Sequence, residues 1–98
     1  MGNDEYNMSV EEKILDAGYE DVIIFKDEGY DDAFVGISHD GRAIYDFDLM
    51  VEWLCKYDDM SITEAIEWIE YNTVRSLPYI GEKSPIILYR IDDINDYE

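Results

Sequence analysis

Apolar residues recur along the chain in two rhythms, one of helical period and one of strand period. Phe47, Met50, Val51, Leu54 and Cys55 fall on one helical face. So do Ile62, Ala65, Ile66, Ile69 and Thr73, at i, i+3, i+4 and i+7. The first run predicts a helix capped by Asp46, with Asp48 in the first turn where a carboxylate suits the helix dipole, ending near Tyr57. The second predicts the longest element, Ser61 to Pro78. Ser61-Ile62-Thr63-Glu64 forms a capping box, and Pro78 forces the preceding residue out of helical geometry. A second capping box, Ser9-Val10-Glu11-Glu12, opens a short helix with Val10, Ile14 and Leu15 inward, closed by Gly18.

The remaining apolar runs read as strands. Val22-Ile23-Ile24-Phe25 is short and bounded by charge. Ala33 to Ser38 places Ala33, Val35 and Ile37 on one face, with Gly36 leaving room on the other for a helix. His39-Asp40-Gly41 is a hairpin turn with glycine at the position needing positive φ, and Arg42 to Tyr45 returns. Ile86 to Ile91 is the last strand; residues 26–32 and 79–85 read as loops. The order is helix, three strands, two helices, strand. It predicts an α+β fold: an antiparallel sheet of about four strands, two helices packed on one face, and a short N-terminal helix. With 98 residues and no repeat or linker, 1–98 reads as a single acidic domain with frayed ends at 1–8 and 92–98.

Charge changes this picture most. There are 25 acidic and 7 basic residues, a formal net charge of -18, yet 47% of the chain is hydrophobic and 14% aromatic. That apolar content argues for a folded chain rather than a disordered acidic one. Such a field repels nucleic acid and anionic membranes and attracts basic surfaces. Acidity also serves solubility alone. No stretch approaches the length of a membrane span, and the opening MGNDEYNMS has neither the basic region nor the apolar run of a signal peptide. Cys55 is the only cysteine, which fits a reducing cytoplasm, and beside Leu54 it reads as a structural thiol.

Most site chemistries lack their residues. A hydrolytic triad needs a base, and the lone His39 sits in a turn. One His and one Cys do not make a zinc site. Asp27-Glu28 with Asp31-Asp32, and Asp92-Asp93 with Asp96, are oxygen clusters without the calcium-loop pattern of alternating ligands, and they read as solvated loop acids. With so many carboxylates, a glycosidase-like pair has no diagnostic value. There is no P-loop and no GxGxxG, so neither an enzyme nor a cofactor is expected.

The spacing of the acids is more informative. Asp48 and Glu52 share a face of the first long helix; Glu64 and Glu67, with Glu70 to the side, line the second. Neighbours at this spacing lie about 5–6 Å apart, close to the roughly 6–7 Å between backbone phosphates of a nucleic acid. Carboxylate rows on rigid helices therefore suit a protein groove built for phosphates. Trp53 and Trp68 read as core-edge residues, with Trp68 and Tyr71 as aromatic anchors if the face binds a partner.

The words Asp40-Gly41-Arg42-Ala43-Ile44-Tyr45-Asp46, Glu70-Tyr71-Asn72-Thr73 and Leu77-Pro78-Tyr79 complete the picture. Together, over about Tyr30 to Leu88, the chain resembles a family of small acidic proteins from phages, prophages and mobile elements of Firmicutes. The resemblance implies a setting rather than residue roles: small acidic proteins of mobile elements include DNA mimics and anti-CRISPR or anti-restriction inhibitors. The expectation is a non-enzymatic binding protein whose partner is a protein with a basic surface, without direct contact to nucleic acid or membrane. Its binding residues would be Asp48, Glu52, Glu64, Glu67, Trp68, Glu70 and Tyr71. The alternative is a small structural or regulatory module forming a homodimer through its Tyr-rich sheet face or the edge strand Ile86 to Ile91.

Overall fold

The computed structural model describes residues 9–26 and 28–91. The fraying expected at both termini, and the Asp92, Asp93 and Asp96 cluster, lie outside the described residues.

Helix α1, Val10–Asp16, starts where its capping box directs. Ser9 Oγ accepts the Glu12 amide at 3.1 Å, and Glu12 Oε1 accepts the Ser9 amide at 3.0 Å. It stops through paired carbonyl contacts, Tyr19 N–H to Ile14 O at 3.1 Å and Gly18 N–H to Leu15 O at 3.0 Å, with Gly18 at φ 96°. This is the Schellman arrangement that glycine makes inexpensive. Val10 and Ile14 are buried, but Leu15, expected inward, is 58% exposed. Residues 14 and 15 are about 100° apart around a helix axis, and only the i, i+4 pair fits a stripe this narrow.

Val22–Phe25 is not a strand. The Phe25 amide donates to the Tyr45 hydroxyl at 3.2 Å instead of to a ladder, and its ring packs 4.7 Å from that of Tyr45. The run is apolar because Val22, Ile24 and Phe25 cover the core. Part of the loop expected next is a 3-10 turn, Glu28–Ala33. Its period of three stacks Tyr30 over Ala33, and both are buried.

Strands β1, Phe34–Ile37, and β2, Ala43–Asp46, form the expected antiparallel hairpin. Ser38 N–H reaches Arg42 O at 2.7 Å, Gly41 N–H reaches Ser38 O at 3.0 Å, and Gly41 has φ 83°. The register shifts between Phe34 and Gly36, so Val35 is an extra residue with no partner and is exposed. This bulge breaks the expected face of Ala33, Val35 and Ile37. Among the described residues no helix approaches Gly36, and nothing lies within 4 Å of where a Cβ would stand.

Helix α2, Phe47–Tyr57, is capped by Asp46, which accepts the Leu49 amide at 3.0 Å. Beyond its C-cap Asp58, Asp59, with φ 60°, takes the left-handed role that Gly18 has after α1. Helix α3, Ile62–Asn72, opens on its capping box, with Ser61 N–H to Glu64 Oε1 at 2.9 Å and Glu64 N–H to Ser61 Oγ at 3.1 Å. Ala65, Ile69 and Thr73 are buried, Ile66 is half-buried, and Ile62 is 65% exposed at the helix start.

The helix does not continue to Pro78. After Thr73 the chain tightens into a 3-10 turn, Val74–Ser76, and restarts as the single-turn α4, Leu77–Ile80. Inside a continuous helix Pro78 would clash with the carbonyl of residue 74 and lose a hydrogen bond; in the first turn of a new one its missing N–H is no loss. Tyr79, expected in a loop, is therefore helical.

Strand β3 covers only Ile86–Leu88 and pairs with β2 in parallel, Ile44 to Ile86 and Asp46 to Leu88. Among the described residues the sheet is thus three-stranded and mixed, in the order β1-β2-β3, not four-stranded and antiparallel. Antiparallel neighbours need only a short turn, whereas β2 and β3 are joined through α2, α3 and α4, the kind of crossover that a parallel pair requires. The core lies where Ala43 and Tyr45 of the central strand meet Met50 and Leu54 of α2 and Ala65 and Ile69 of α3; all six are at most 1% exposed. Tyr30 Oη and Thr73 Oγ1, 3.1 Å apart, satisfy each other inside this region.

Candidate functional site

The seven residues expected to bind a partner do not act as one set. Asp48 stands at the start of α2, 3.9 Å from the Arg90 guanidinium. The same arginine donates to Asp46 Oδ2 at 2.7 Å, so part of the α2 charge is neutralised within the chain. Glu52 is exposed further along α2. Glu64 is exposed but committed, because its carboxylate receives the Ser61 amide. Glu70 is exposed late in α3, and its charge is felt at Tyr89: burial first, and the Glu70 charge second, raise the Tyr89 hydroxyl above its ordinary pKa. Tyr89 in turn packs on Phe47, with ring centroids 4.8 Å apart.

Glu67, Trp68 and Tyr71 are brought together, and residues from the preceding turn join them. A shallow open groove of about 490 Å³ runs between α3 and the α2–α3 connection. Glu64, Glu67, Trp68 and Tyr71 line one side; Asp58, Asp59 and Met60 line the other. A second depression, about 380 Å³, lies between Glu67, Glu70 and Tyr71. Tyr71 and Glu67 belong to both, so they form the ridge that divides them. Asp48 and Glu52 line neither.

Asp58, Asp59 and Met60 read from the chain only as a connection. The signal that marks them is a helix end without glycine, followed by aspartate, one of the few side chains that tolerates φ above zero. Arg75 is not among the expected binding residues; its guanidinium carbon lies 4.9 Å from the Tyr71 ring centroid. Trp68 is half-buried at the edge of the core as well as lining the groove. Trp53 is half-buried and stacks 5.0 Å from Tyr57.

The basic residues matter as much as the acidic ones. Five of the seven are engaged by partners among the described residues. Arg42 donates to Ser84 O at 2.8 Å, Lys83 to Asp40 O at 2.9 Å, and Arg90 to Asp46. Lys56 and Arg75 lie over the rings of Tyr57 and Tyr71. No ion pair among the described residues involves Glu52, Glu64, Glu67 or Glu70. The outer face of α3 therefore keeps its negative charge.

The other chemistry-bearing residues are placed as follows. His39 is exposed at the hairpin tip, and the adjacent Ser38 hydroxyl donates to the Asp40 carboxylate. That bond, ahead of the nearby Arg42 and Lys83 charges, holds Asp40 below the usual carboxylate range. Cys55 is a half-buried free thiol. Among the described residues no group of three or more His, Cys, Asp or Glu is arranged to hold a metal ion, and no helix is long and apolar enough to cross a membrane. No protein-family model, curated protein or solved structure matches the chain.

Proposed function

We propose that the protein is a non-enzymatic, cytoplasmic binding protein. It docks its acidic helical face on the basic, nucleic-acid-binding surface of a host or defence protein and blocks that surface by competition, as a DNA mimic of the anti-restriction or anti-CRISPR kind. The observation that carries this reading is the face of α3 whose carboxylates pair with no basic side chain among the described residues, in a chain of net charge -18; Arg75, which reaches this face, lies over the Tyr71 ring and forms no ion pair there. The capped α3 holds that face on a rigid element, and Tyr71, 71% exposed, supplies an aromatic contact at its centre. The resemblance to proteins of phages and mobile elements supports the setting.

The test is displacement. Labelled DNA bound to a restriction endonuclease or an RNA-guided nuclease is titrated with the protein, and fluorescence anisotropy is read at low and high salt. Displacement should weaken steeply as salt rises, and the double reversal Glu67→Lys with Glu70→Lys should weaken it further. Glu64 is left intact because its carboxylate caps the helix. Displacement at full strength by the reversed protein, or indifference to salt, would exclude mimicry.

A second reading, self-association, is supported by one feature. Strand β3 is an edge strand, with Leu88, Tyr89 and Ile91 exposed on and beyond it. Light scattering separates the two readings: a salt-insensitive dimer favours self-association, and a monomer favours the mimic.

A further inference from the structure

We propose that the groove beside α3 selects an arginine side chain from a basic segment of the partner, stacking the guanidinium on Tyr71 between flanking carboxylates. This rests on the binding reading above and specifies the chemistry that the same face recognises. Tyr71 already holds a guanidinium within the chain, because Arg75 lies over its ring at 4.9 Å. A ring has two faces, and Tyr71 stands 71% exposed on the ridge between the two depressions, so one arginine on it leaves room for another.

The surroundings complete an arginine site. Glu67 borders both depressions and pairs with no basic side chain among the described residues. Asp58 and Asp59, both exposed, line the opposite lip and add negative charge there. Met60 and Trp68, both half-buried, offer soft apolar surface for the methylene stem of the incoming side chain. Arginine fits these features better than lysine. Its guanidinium is planar, weakly hydrated, stacks on rings and bonds carboxylates in a fork, whereas an ammonium is a compact and strongly hydrated point charge. A surface that merely mimics charge would take both cations equally.

Calorimetry of the full chain with hexa-arginine and with hexa-lysine, at low and at physiological salt, tests this. Hexa-arginine should bind about two- to five-fold tighter than hexa-lysine, the range expected for one exposed cation–π contact. Tyr71→Ala should abolish that difference, weakening hexa-arginine more than hexa-lysine, and Tyr71→Phe should retain most of it. Glu67→Gln should weaken both peptides. Tyr71 and Glu67 are exposed, so these variants keep the fold, which circular dichroism checks. Salt-sensitive but equal binding of the two peptides would overturn the arginine site and leave charge mimicry standing. No binding of either at low salt would overturn both. An arginine preference that survives in Tyr71→Ala, or unchanged affinities in Glu67→Gln, would also overturn it.

Discussion

Asp46 joins three elements through one carboxylate, and its removal has a calculable cost. It ends β2, caps α2 by accepting the Leu49 amide at 3.0 Å, and receives Arg90 Nε at 2.7 Å from the segment after β3. The Asp46 side chain is 5% exposed and that of Arg90 39%. This asymmetry decides the energetics. Asp46→Asn keeps an oxygen for the cap but puts an amide NH2 where Oδ2 accepted from Arg90, so it loses that hydrogen bond as well as the charge pairing; the half-exposed Arg90 then recovers water, so the cost should be about 1 kcal/mol. Arg90→Gln instead leaves a carboxylate buried with the helix N-terminus as its main support, and should cost about 2 kcal/mol. Asp46→Ala loses both bonds and should cost about 2–3 kcal/mol.

Urea unfolding followed by far-ultraviolet circular dichroism measures all three, and thermal melts should shift by about 4–8 °C per kcal/mol for a chain of this size. The double variant Asp46→Asn with Arg90→Gln supplies the coupling. Once the buried charge is gone, losing its partner should add little, so the double variant should be nearly as stable as Asp46→Asn alone. Additive costs, or an Arg90→Gln protein as stable as the unaltered one, would show that the Asp46–Arg90 contact does not tie β3 to α2.

Two further predictions follow from single contacts. Glu64→Ala should destabilise by about 1 kcal/mol because it opens the α3 capping box, whereas Glu67→Ala should stay within about 0.5 kcal/mol; equal urea midpoints for the two would refute the structural role of Glu64. Tyr45, fully buried, has its hydroxyl pushed up to about 12, by burial first and the Asp31 charge second, against the opposing Phe25 amide bond. A folded pKa above the unfolded value of 10.0 means that folding favours the protonated phenol. Its contribution is complete below about pH 10 and is lost as pH rises toward about 12. Tyr45→Phe should be less stable near neutrality, through the orphaned Phe25 amide, yet its urea midpoint should decline less between those pH values than that of the unaltered protein.

Features set within a few residues were legible in the chain. The caps at Ser9, Asp46 and Ser61 each bond an amide three residues on, so they need no distant partner to be read. The hairpin at His39-Asp40-Gly41 follows from one glycine at positive φ, and the buried members of α2 and α3 follow from helical spacing. In the candidate site, Glu67 was legible as part of an acidic row, and Trp68 and Tyr71 as aromatic anchors beside it.

What the tertiary structure decided depends on residues far apart in sequence. An apolar run such as Val22–Phe25 looks the same whether it pairs in a sheet or only covers a core; the Tyr45 hydroxyl, 20 residues away, takes the Phe25 amide. The parallel pairing of β3, the second role of Asp46 toward Arg90, 44 residues on, and the far lip of the groove at Asp58 and Asp59 were settled the same way. Local chemistry sets where an element begins and which face is apolar. Only long-range packing chooses what that face meets, because the competing partners are alike in composition and differ only in position.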